Sequence, residues 1–217
     1  MSVKDDSGGF RAAFEANAVA EVPVGLSIPS RMSLKRRPLT TRRLRLAPVE
    51  KADAPELWEA IESSRWHLER WLPWVPFNNT PEASGRFADA CAHDWDLGRA
   101  VRFSIRDHAT SDFLGIVGLD ACVHLHRSSE LGYWLKRTVT GKGIMTEAAS
   151  ACIDFAFMRM GMHRIRCAAA TDNYPSLRVI SRLGFRFEGI ARQAEFVSSR
   201  WLDHAVFGKL AVDPNDA

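Results

Sequence analysis

The stretch of sequence most suited to chemistry is KRTVTGKGIMTEAA, a polar loop from Lys136 to Ala149 that continues into a helical pattern. A helix start leaves backbone N–H groups unpaired and carries partial positive charge, so it favours anions. Gly141 and Gly143 have no Cβ, which lets the backbone approach a ligand closely. The segment is therefore a candidate phosphate cradle. The alternative is a tight strand-to-helix turn that binds nothing.

Two familiar nucleotide motifs do not fit this loop. A Walker A sequence needs a glycine five residues before its Gly-Lys pair, and position 136 is lysine. The G-x-G-x-x-G dinucleotide fingerprint fails at its last position, which is Thr146. If the loop binds a phosphate group, it does so in a different context.

The elements that must position this loop follow from the spacing of apolar residues and from turn signals. Alternation and β-branched content predict strands, and apolar residues at helical spacing predict helices. Because strands occur both as a meander and around helices, we expect a mixed α/β sheet. The predicted strands cover 42–49, 100–107, 113–126, 129–136, 163–171, 186–196 and 204–212, and the predicted helices cover 54–64, 81–98, 144–160 and 174–183.

The bulk properties are those of one ordinary globular domain. The chain has 217 residues, of which 46% are hydrophobic and 25% are charged. We expect one domain over 39–217. Residues 1–38 are expected to form an extension that is partly disordered or packs on this domain. The acidic amino terminus carries no signal-peptide pattern, no window is apolar enough to span a membrane, and the four cysteines form no CxxC pair. These features predict a cytoplasmic protein with reduced thiols.

A basic block lies between residues 31 and 45, where seven Lys or Arg residues occur without an acidic residue. Such a run can attract nucleic acid or an acidic protein. It has no interleaved aromatic residues for base stacking. We therefore interpret it as a solvated segment, and this block is the one place where the sequence would allow a nucleic-acid partner.

The segments on either side of the glycine loop resemble a known family. ELGYWLKRTVTGKGIMTEA and MHRIRCAAATDNYPSLRVISRLGFRFEG, in that order and spacing, are similar to the GCN5-related N-acetyltransferase (GNAT) superfamily. WLPW early in the chain and RQAEF late in it extend the resemblance over roughly residues 39–213. Within the superfamily, the sequence resembles the branch that acetylates the amino termini of ribosomal proteins.

The resemblance implies a mostly antiparallel sheet flanked by helices, with central strands that splay apart at the coenzyme A site. Acetyl-CoA is then the co-substrate, and no metal is expected. Where the family has Gln or Arg three residues before the first glycine, this chain has Thr138. The residues that the resemblance assigns to coenzyme A are Leu135, Thr138, Gly141, Lys142, Gly143, Ile144, Met145, Thr146 and Asn173.

The resemblance also implies catalytic groups. Ser176, in the branch's Asn-x-x-Ser pattern, is the candidate general acid for the departing thiolate, and the alternative is an ordinary residue of a helix start. Glu195 in RQAEF is the candidate base or amine-binding group. Glu130, which opens a central strand, could instead act as a base through water. Since an α-amine has a pKa of roughly 7.7–8.0 and a lysine amine one of about 10.4, a carboxylate base suits the α-amine better.

Three further residues are candidates for contact with the acceptor. Trp71 and Trp74 lie in a segment that lines the acceptor groove in the resembled branch, although tryptophans are usually core residues. His126 follows Cys122 and His124 in alternation, which predicts one polar strand face near the acceptor. Zinc or copper could use such residues, but no fourth ligand has helpful spacing. His67 is interpreted as a surface residue.

The sequence thus predicts an N-acetyltransferase that acts by direct attack in a ternary complex, most simply on the α-amino group of a protein. One alternative is a small-molecule acetyltransferase for polyamines or antibiotics. Another is a non-catalytic acyl-CoA-binding module that engages nucleic acid through residues 31–45. A homodimer is possible, because relatives in this branch are often dimers.

Overall fold

The structure, a computed structural model, describes residues 25–213. Eight strands form one sheet in the order β1-β2-β3-β4-β5-β6-β8-β7, and only the β5–β6 pair is parallel. The mixed, mostly antiparallel sheet predicted above is therefore confirmed. The strands are β1 (Leu39–Thr40), β2 (Leu44–Pro48), β3 (Val101–Asp107), β4 (Phe113–Val123), β5 (Ser128–Leu135), β6 (Arg164–Ala170), β7 (Arg186–Val197) and β8 (Arg200–Leu210).

Helices cover both faces of this sheet. Sequence signals mark their ends: Thr80 caps the longest helix by accepting a hydrogen bond from the Ala83 N–H at 3.2 Å, and Gly184 ends the last one with a φ of 72°. The α-helices are α1 (Arg31–Arg36), α2 (Ala54–Glu62), α3 (Arg65–Leu68), α4 (Pro81–Asp96), α5 (Ile144–Met158) and α6 (Tyr174–Arg182). Among residues 25–213, no helix combines the length and apolar character needed to cross a membrane.

Two main hydrophobic clusters hold the layers together. The larger one packs α5 and α6 against one face of the sheet, with Phe103 and Leu119 fully buried at its centre. The smaller one packs α2 and α4 against the other face around Ile61, Ile116 and Trp134. Successive residues of β5 point to opposite faces, and Leu135 and Trp134 accordingly belong to different clusters.

The sheet opens between β5 and β6. The two strands pair only from Ser128–Glu130 to Arg164–Arg166, although β5 continues to Leu135 and β6 to Ala170. Beyond Glu130 the strands diverge, so the β5 edge that faces β6 has backbone groups that are not used in the sheet. The predicted splay is present, and it creates a gap at the carboxyl ends of both strands.

Residues 25–36, which lie in the predicted extension, pack against the sheet domain. Leu26 and Leu34 are part of the larger hydrophobic cluster. The Trp95 indole N–H donates to the Pro29 carbonyl at 2.9 Å, and the Ser27 N–H donates to the Met160 carbonyl at 3.0 Å. This segment therefore completes the core from outside the predicted domain boundary.

The basic block is partly neutralised within the protein. Arg31 pairs with Asp96 at 2.7 Å, Lys35 with Glu50 at 2.7 Å, and Arg43 with Glu147 at 2.6 Å. The block spans α1, β1 and the start of β2, so it is a folded surface and not a separate arm.

Candidate active site

A cavity of about 220 Å³ lies where β5 and β6 diverge. Its floor is the end of β5, and its walls are the glycine loop with the start of α5, the helix α6, and the α3 segment. This arrangement places a helix N-terminus, a hydroxyl group and an aromatic entrance around one space. The lining residues are His67, Leu68, Trp71, Leu72, Tyr133, Trp134, Leu135, Thr140, Gly141, Gly143, Ile144, Met145, Thr146, Asn173, Pro175, Ser176, Arg178, Val179 and Arg182.

The glycine loop has the form of an anion cradle. Gly141 and Gly143 adopt φ values of 76° and 74°, a region that favours glycine. Within the described part of the chain, the N–H groups of Gly141, Lys142 and Gly143 donate to no protein acceptor. The first turn of α5 adds further free N–H groups and the positive end of the helix dipole. The loop residues therefore fit the diphosphate of coenzyme A.

Ser176 lines the same cavity as this cradle, and its partner across the gap had no signal in the sequence. Asn173 caps α6, and its side-chain oxygen accepts from the Ser176 N–H at 3.3 Å. The Ser176 hydroxyl lies 2.9 Å from the Tyr133 hydroxyl, which comes from β5 across the gap. Burial raises the pKa of Tyr133, so its phenol keeps its proton. Two linked hydroxyl groups thus line the cavity.

The two candidate carboxylates lie outside the cavity lining, on the sheet face that carries α2 and α4. Glu130 pairs with Arg166 at 2.5 Å, so its carboxylate is already occupied. Glu195, on β7, faces His204 on β8 with 3.6 Å between the nearest oxygen and Nε2. Burial raises the pKa of Glu195; His204 acts to lower it and Glu130 to raise it. Of the two, Glu195 has the environment of a base.

Trp71 reaches the cavity and links it to the β7–β8 hairpin. Its ring packs with Ala170, Val197 and Leu202 in a third small cluster. The guanidinium groups of Arg70 and Arg200 lie 5.3 Å and 5.7 Å from its ring centroid. Arg200 also pairs with Asp172 at 3.1 Å, so the positive charge beside Trp71 beyond this ion pair comes from Arg70.

Trp74 and His126 are not brought to the cavity. Trp74 stacks on Phe87 with 6.4 Å between ring centroids and packs in the smaller cluster. The strand face predicted for Cys122, His124 and His126 is wrong for the histidines, because β4 ends at Val123 and a turn follows. His126 precedes β5, whereas the cavity lies at the far end of that strand, roughly 20 Å away at 3.3 Å per residue.

Two of the predicted loop residues lie beside the cavity but do not line it. Thr138 is in a short 3-10 helix, Arg137–Val139, ahead of the glycines. Lys142 is exposed, and its carbonyl accepts a hydrogen bond from Arg43 at 3.0 Å. The other residues assigned to coenzyme A, from Leu135 to Asn173, all line it.

Sequence reasoning missed three residues. Tyr133 is buried in β5 and looked like a strand aromatic. His204 reaches Glu195 only through the pairing of β7 with β8. His67 is a half-buried residue of the cavity wall, not a surface residue, and burial lowers its pKa, with help from Arg137 and Arg70. Of these three residues, only His67 had a signal in the sequence, because it lies one helical turn before Trp71, a predicted acceptor contact.

No group of three or more His, Cys, Asp or Glu side chains in residues 25–213 has the geometry to hold a metal ion. The four cysteines are free. Burial raises the pKa of Cys91 to about 11 and those of Cys122 and Cys167 to about 12, so these thiols stay protonated at neutral pH.

Comparisons with known proteins agree with this geometry. Residues 43–186 match the family described as Acetyltransferase (GNAT) domain. The chain is 30% identical over 173 residues to "Uncharacterized N-acetyltransferase p20" of Bacillus licheniformis, covering 79% of this chain and 95% of that protein. It is 25% identical over 167 residues to "Ribosomal-protein-serine acetyltransferase" of Escherichia coli (strain K12), covering 77% and 92%.

A solved structure, "Mycobacterium smegmatis RimJ in complex with CoA-disulfide", superposes with a TM-score of 0.73 and 27% identity, covering 77% of this chain and 82% of that one. The family match over residues 43–186 includes the whole glycine loop, the splayed strands and α6, which help to build the cavity. The chain therefore belongs to the GNAT family and is an N-acetyltransferase that uses acetyl-CoA as its co-substrate.

Proposed function

We propose that the protein acetylates the α-amino group of a protein, with ribosomal proteins as the favoured acceptors. The observation that carries this proposal is the absence of carboxylates from the cavity lining among the described residues, together with the Arg70 guanidinium beside Trp71. A polyamine would need acidic partners there. A polypeptide amino terminus, with its pKa of roughly 7.7–8.0, needs only a modest base.

In the proposed reaction, the free amine attacks the thioester carbonyl, and the C–N bond forms as the C–S bond breaks. The leaving thiolate resembles a cysteine thiolate, with a pKa of about 8.5 for its thiol. The Ser176 hydroxyl assists its departure by donating a hydrogen bond, and Tyr133 can donate to Ser176 in turn. The oxygen of the thioester faces backbone N–H groups that the splay leaves free on β5.

The amine must lose a proton, and Glu195 is the proposed acceptor of that proton through water. Its raised pKa makes it a better base than an exposed glutamate, and the ring of His204 lies 3.6 Å from its nearest oxygen. Glu130 is a weaker candidate, because Arg166 already occupies its carboxylate.

Several features of the setting go with this proposal. The four free thiols support a cytoplasmic location. The "Ribosomal-protein-serine acetyltransferase" of Escherichia coli, with its protein substrate, supports the choice of acceptor. A homodimer stays a prediction from the sequence. The alternative of a non-catalytic acyl-CoA-binding module is wrong, since the chain belongs to a family of N-acetyltransferases.

The test is incubation of the protein with labelled acetyl-CoA and a cell lysate, followed by mass spectrometry of the acetylated species. A peptide panel sharpens it: one peptide with a free α-amine, the same peptide blocked at its amino terminus and carrying one lysine, and spermidine. We expect label on α-amines, and roughly 10²–10³-fold slower labelling with Ser176→Ala. Label on lysine or spermidine alone would contradict the choice of acceptor, and label on spermidine alone would favour the small-molecule alternative.

A further inference from the structure

The turn between β1 and β2 is bound to the first turn of α5 through one carboxylate. Glu147 accepts hydrogen bonds from the Thr41 hydroxyl at 2.5 Å, from the Arg43 backbone N–H at 3.0 Å and from Arg43 Nε at 2.6 Å. The Arg43 and Glu147 side chains are 35% and 20% exposed, so this ion pair is partly shielded from water. Two segments more than 100 residues apart thus meet beside the glycine loop.

The same guanidinium also holds the loop. Arg43 Nη1 donates to the Lys142 carbonyl at 3.0 Å. A trans peptide unit points its C=O and the following N–H in opposite directions. Fixing the Lys142 carbonyl toward Arg43 therefore turns the Gly143 N–H away from it, and this N–H has no protein acceptor among the described residues. Arg43 sets the direction of a cradle donor.

Glu147 creates a charge conflict at this place. It lies in the first turn of α5, next to a cradle for a diphosphate, and two like charges at such range repel each other. Although burial acts to raise the pKa of Glu147, the hydrogen bonds from Thr41 and Arg43 outweigh it and lower this pKa, so the group is ionised at neutral pH. A cation held against Glu147, as Arg43 is, offsets this repulsion.

We propose that Arg43 is a positioning residue of the acetyl-CoA site that cancels the charge of Glu147 and orients the Lys142–Gly143 peptide toward the diphosphate. The remaining nitrogen of Arg43, Nη2, lies beside Gly143: a Cβ added to Gly143 would be 3.5 Å from this nitrogen. Among the described residues Nη2 has no hydrogen-bond partner. The cation therefore faces the cradle as well as the carboxylate.

The experiment is calorimetry with CoA alone, which needs neither an acceptor nor turnover. Arg43→Ala is expected to weaken CoA binding roughly tenfold at 50 mM salt, and Glu147→Gln less than about threefold. The double variant Arg43→Ala/Glu147→Gln should recover to within roughly threefold of the native protein, because the uncancelled charge is gone. Arg42→Ala, which removes the same charge one residue away, is the matched control and should bind CoA as the native protein does.

The salt dependence of CoA binding separates the electrostatic role of Arg43 from its role in orienting the loop. Because screening weakens interactions between partly exposed charges, the deficit of Arg43→Ala should shrink to about threefold at 500 mM salt. If Arg43→Ala does not fold by circular dichroism, Arg43→Lys replaces it and is expected to weaken CoA binding about threefold relative to Arg42→Lys.

Native-like CoA binding by Arg43→Ala, or by Arg43→Lys where that variant stands in, would overturn the proposal. So would a folded double variant that binds as weakly as Arg43→Ala. These outcomes concern CoA alone. They are therefore distinct from a failure of the acceptor assignment, in which CoA binds but no α-amine is labelled.

Discussion

The two halves of the cleft are built in different ways. The coenzyme half is made mainly of backbone: two glycines in left-handed conformations, a helix start and an open strand edge, all within one stretch around α5 and β5. The acceptor half that we propose is made of side chains from separate elements, with Trp71 beyond α3, Glu195 on β7 and His204 on β8. A site made of backbone is fixed by local sequence, whereas a site made of side chains depends on the topology that gathers them.

The largest expected effect is on turnover, and it concerns Ser176, which lies where the two halves meet. Ser176→Ala should lower turnover by roughly 10²–10³-fold while CoA binding stays unchanged, because the hydroxyl assists the leaving thiolate and does not hold the coenzyme. Rates from steady-state assays and CoA affinity from calorimetry measure the two quantities. Ser181→Ala, an exposed serine of the same helix, is the control. Unchanged turnover in Ser176→Ala would remove this residue from the mechanism.

The coenzyme half can be tested by two glycines that share a conformation. Gly141 and Gly161 have φ values of 76° and 72°, and a Cβ at either position would meet no atom within 4 Å. Gly141→Ala and Gly161→Ala should each lose about 1–2 kcal/mol of unfolding free energy, but only Gly141→Ala should weaken CoA binding, by roughly thirtyfold. Calorimetry and urea unfolding give both numbers. Equal CoA affinities in the two variants would mean that the loop conformation does not matter for binding.

The acceptor half should respond through the rate and not through coenzyme binding. Glu195→Gln is expected to lower kcat/KM for the acceptor about tenfold at neutral pH, with native affinity for CoA. Since the folded environment raises the pKa of Glu195, native activity should fall as the pH drops through that raised value, and the variant should lack this step. Glu188→Gln, on the same strand and paired with Arg164, is the matched control. A pH profile identical in native protein and Glu195→Gln would assign the base elsewhere.

The smallest effect belongs to His67, in the wall shared by both halves. Its folded pKa is lowered, so the unfolded chain takes up a proton first as the pH falls below about 6.5. The stability of the native protein should therefore decrease between pH 7.5 and 5.5, and His67→Asn should show a shallower decrease. The difference is below about 1 kcal/mol, because solvent screens a half-buried group. Urea unfolding at the two pH values measures it, and equal slopes would contradict the prediction.

The contrast between a backbone-built and a side-chain-built half explains which features could be predicted from the sequence. The sequence was sufficient for the strand–loop–helix unit around Gly141 and for Asn173 and Ser176, because glycine, cap and spacing signals are local. The Tyr133–Ser176 and Glu195–His204 pairs were not predictable, since they depend on strand splay and on the register of β7 against β8. The strand predicted over 113–126 also continued past the true end of β4 at Val123, two residues beyond Ala121, which adopts a φ of 49° at a bulge.

The segment before β1 has a practical consequence. Leu34 has no solvent exposure and Leu26 only 8%, and both touch the same core as α5. A shortened chain starting at Leu39 would remove these two leucines from the core that supports α5, and it would remove the Pro29 carbonyl that accepts a hydrogen bond from Trp95 of α4. Crystallographers or enzymologists who trim the protein should therefore keep residue 25 and everything after it, or they risk measuring a weakened scaffold instead of the enzyme.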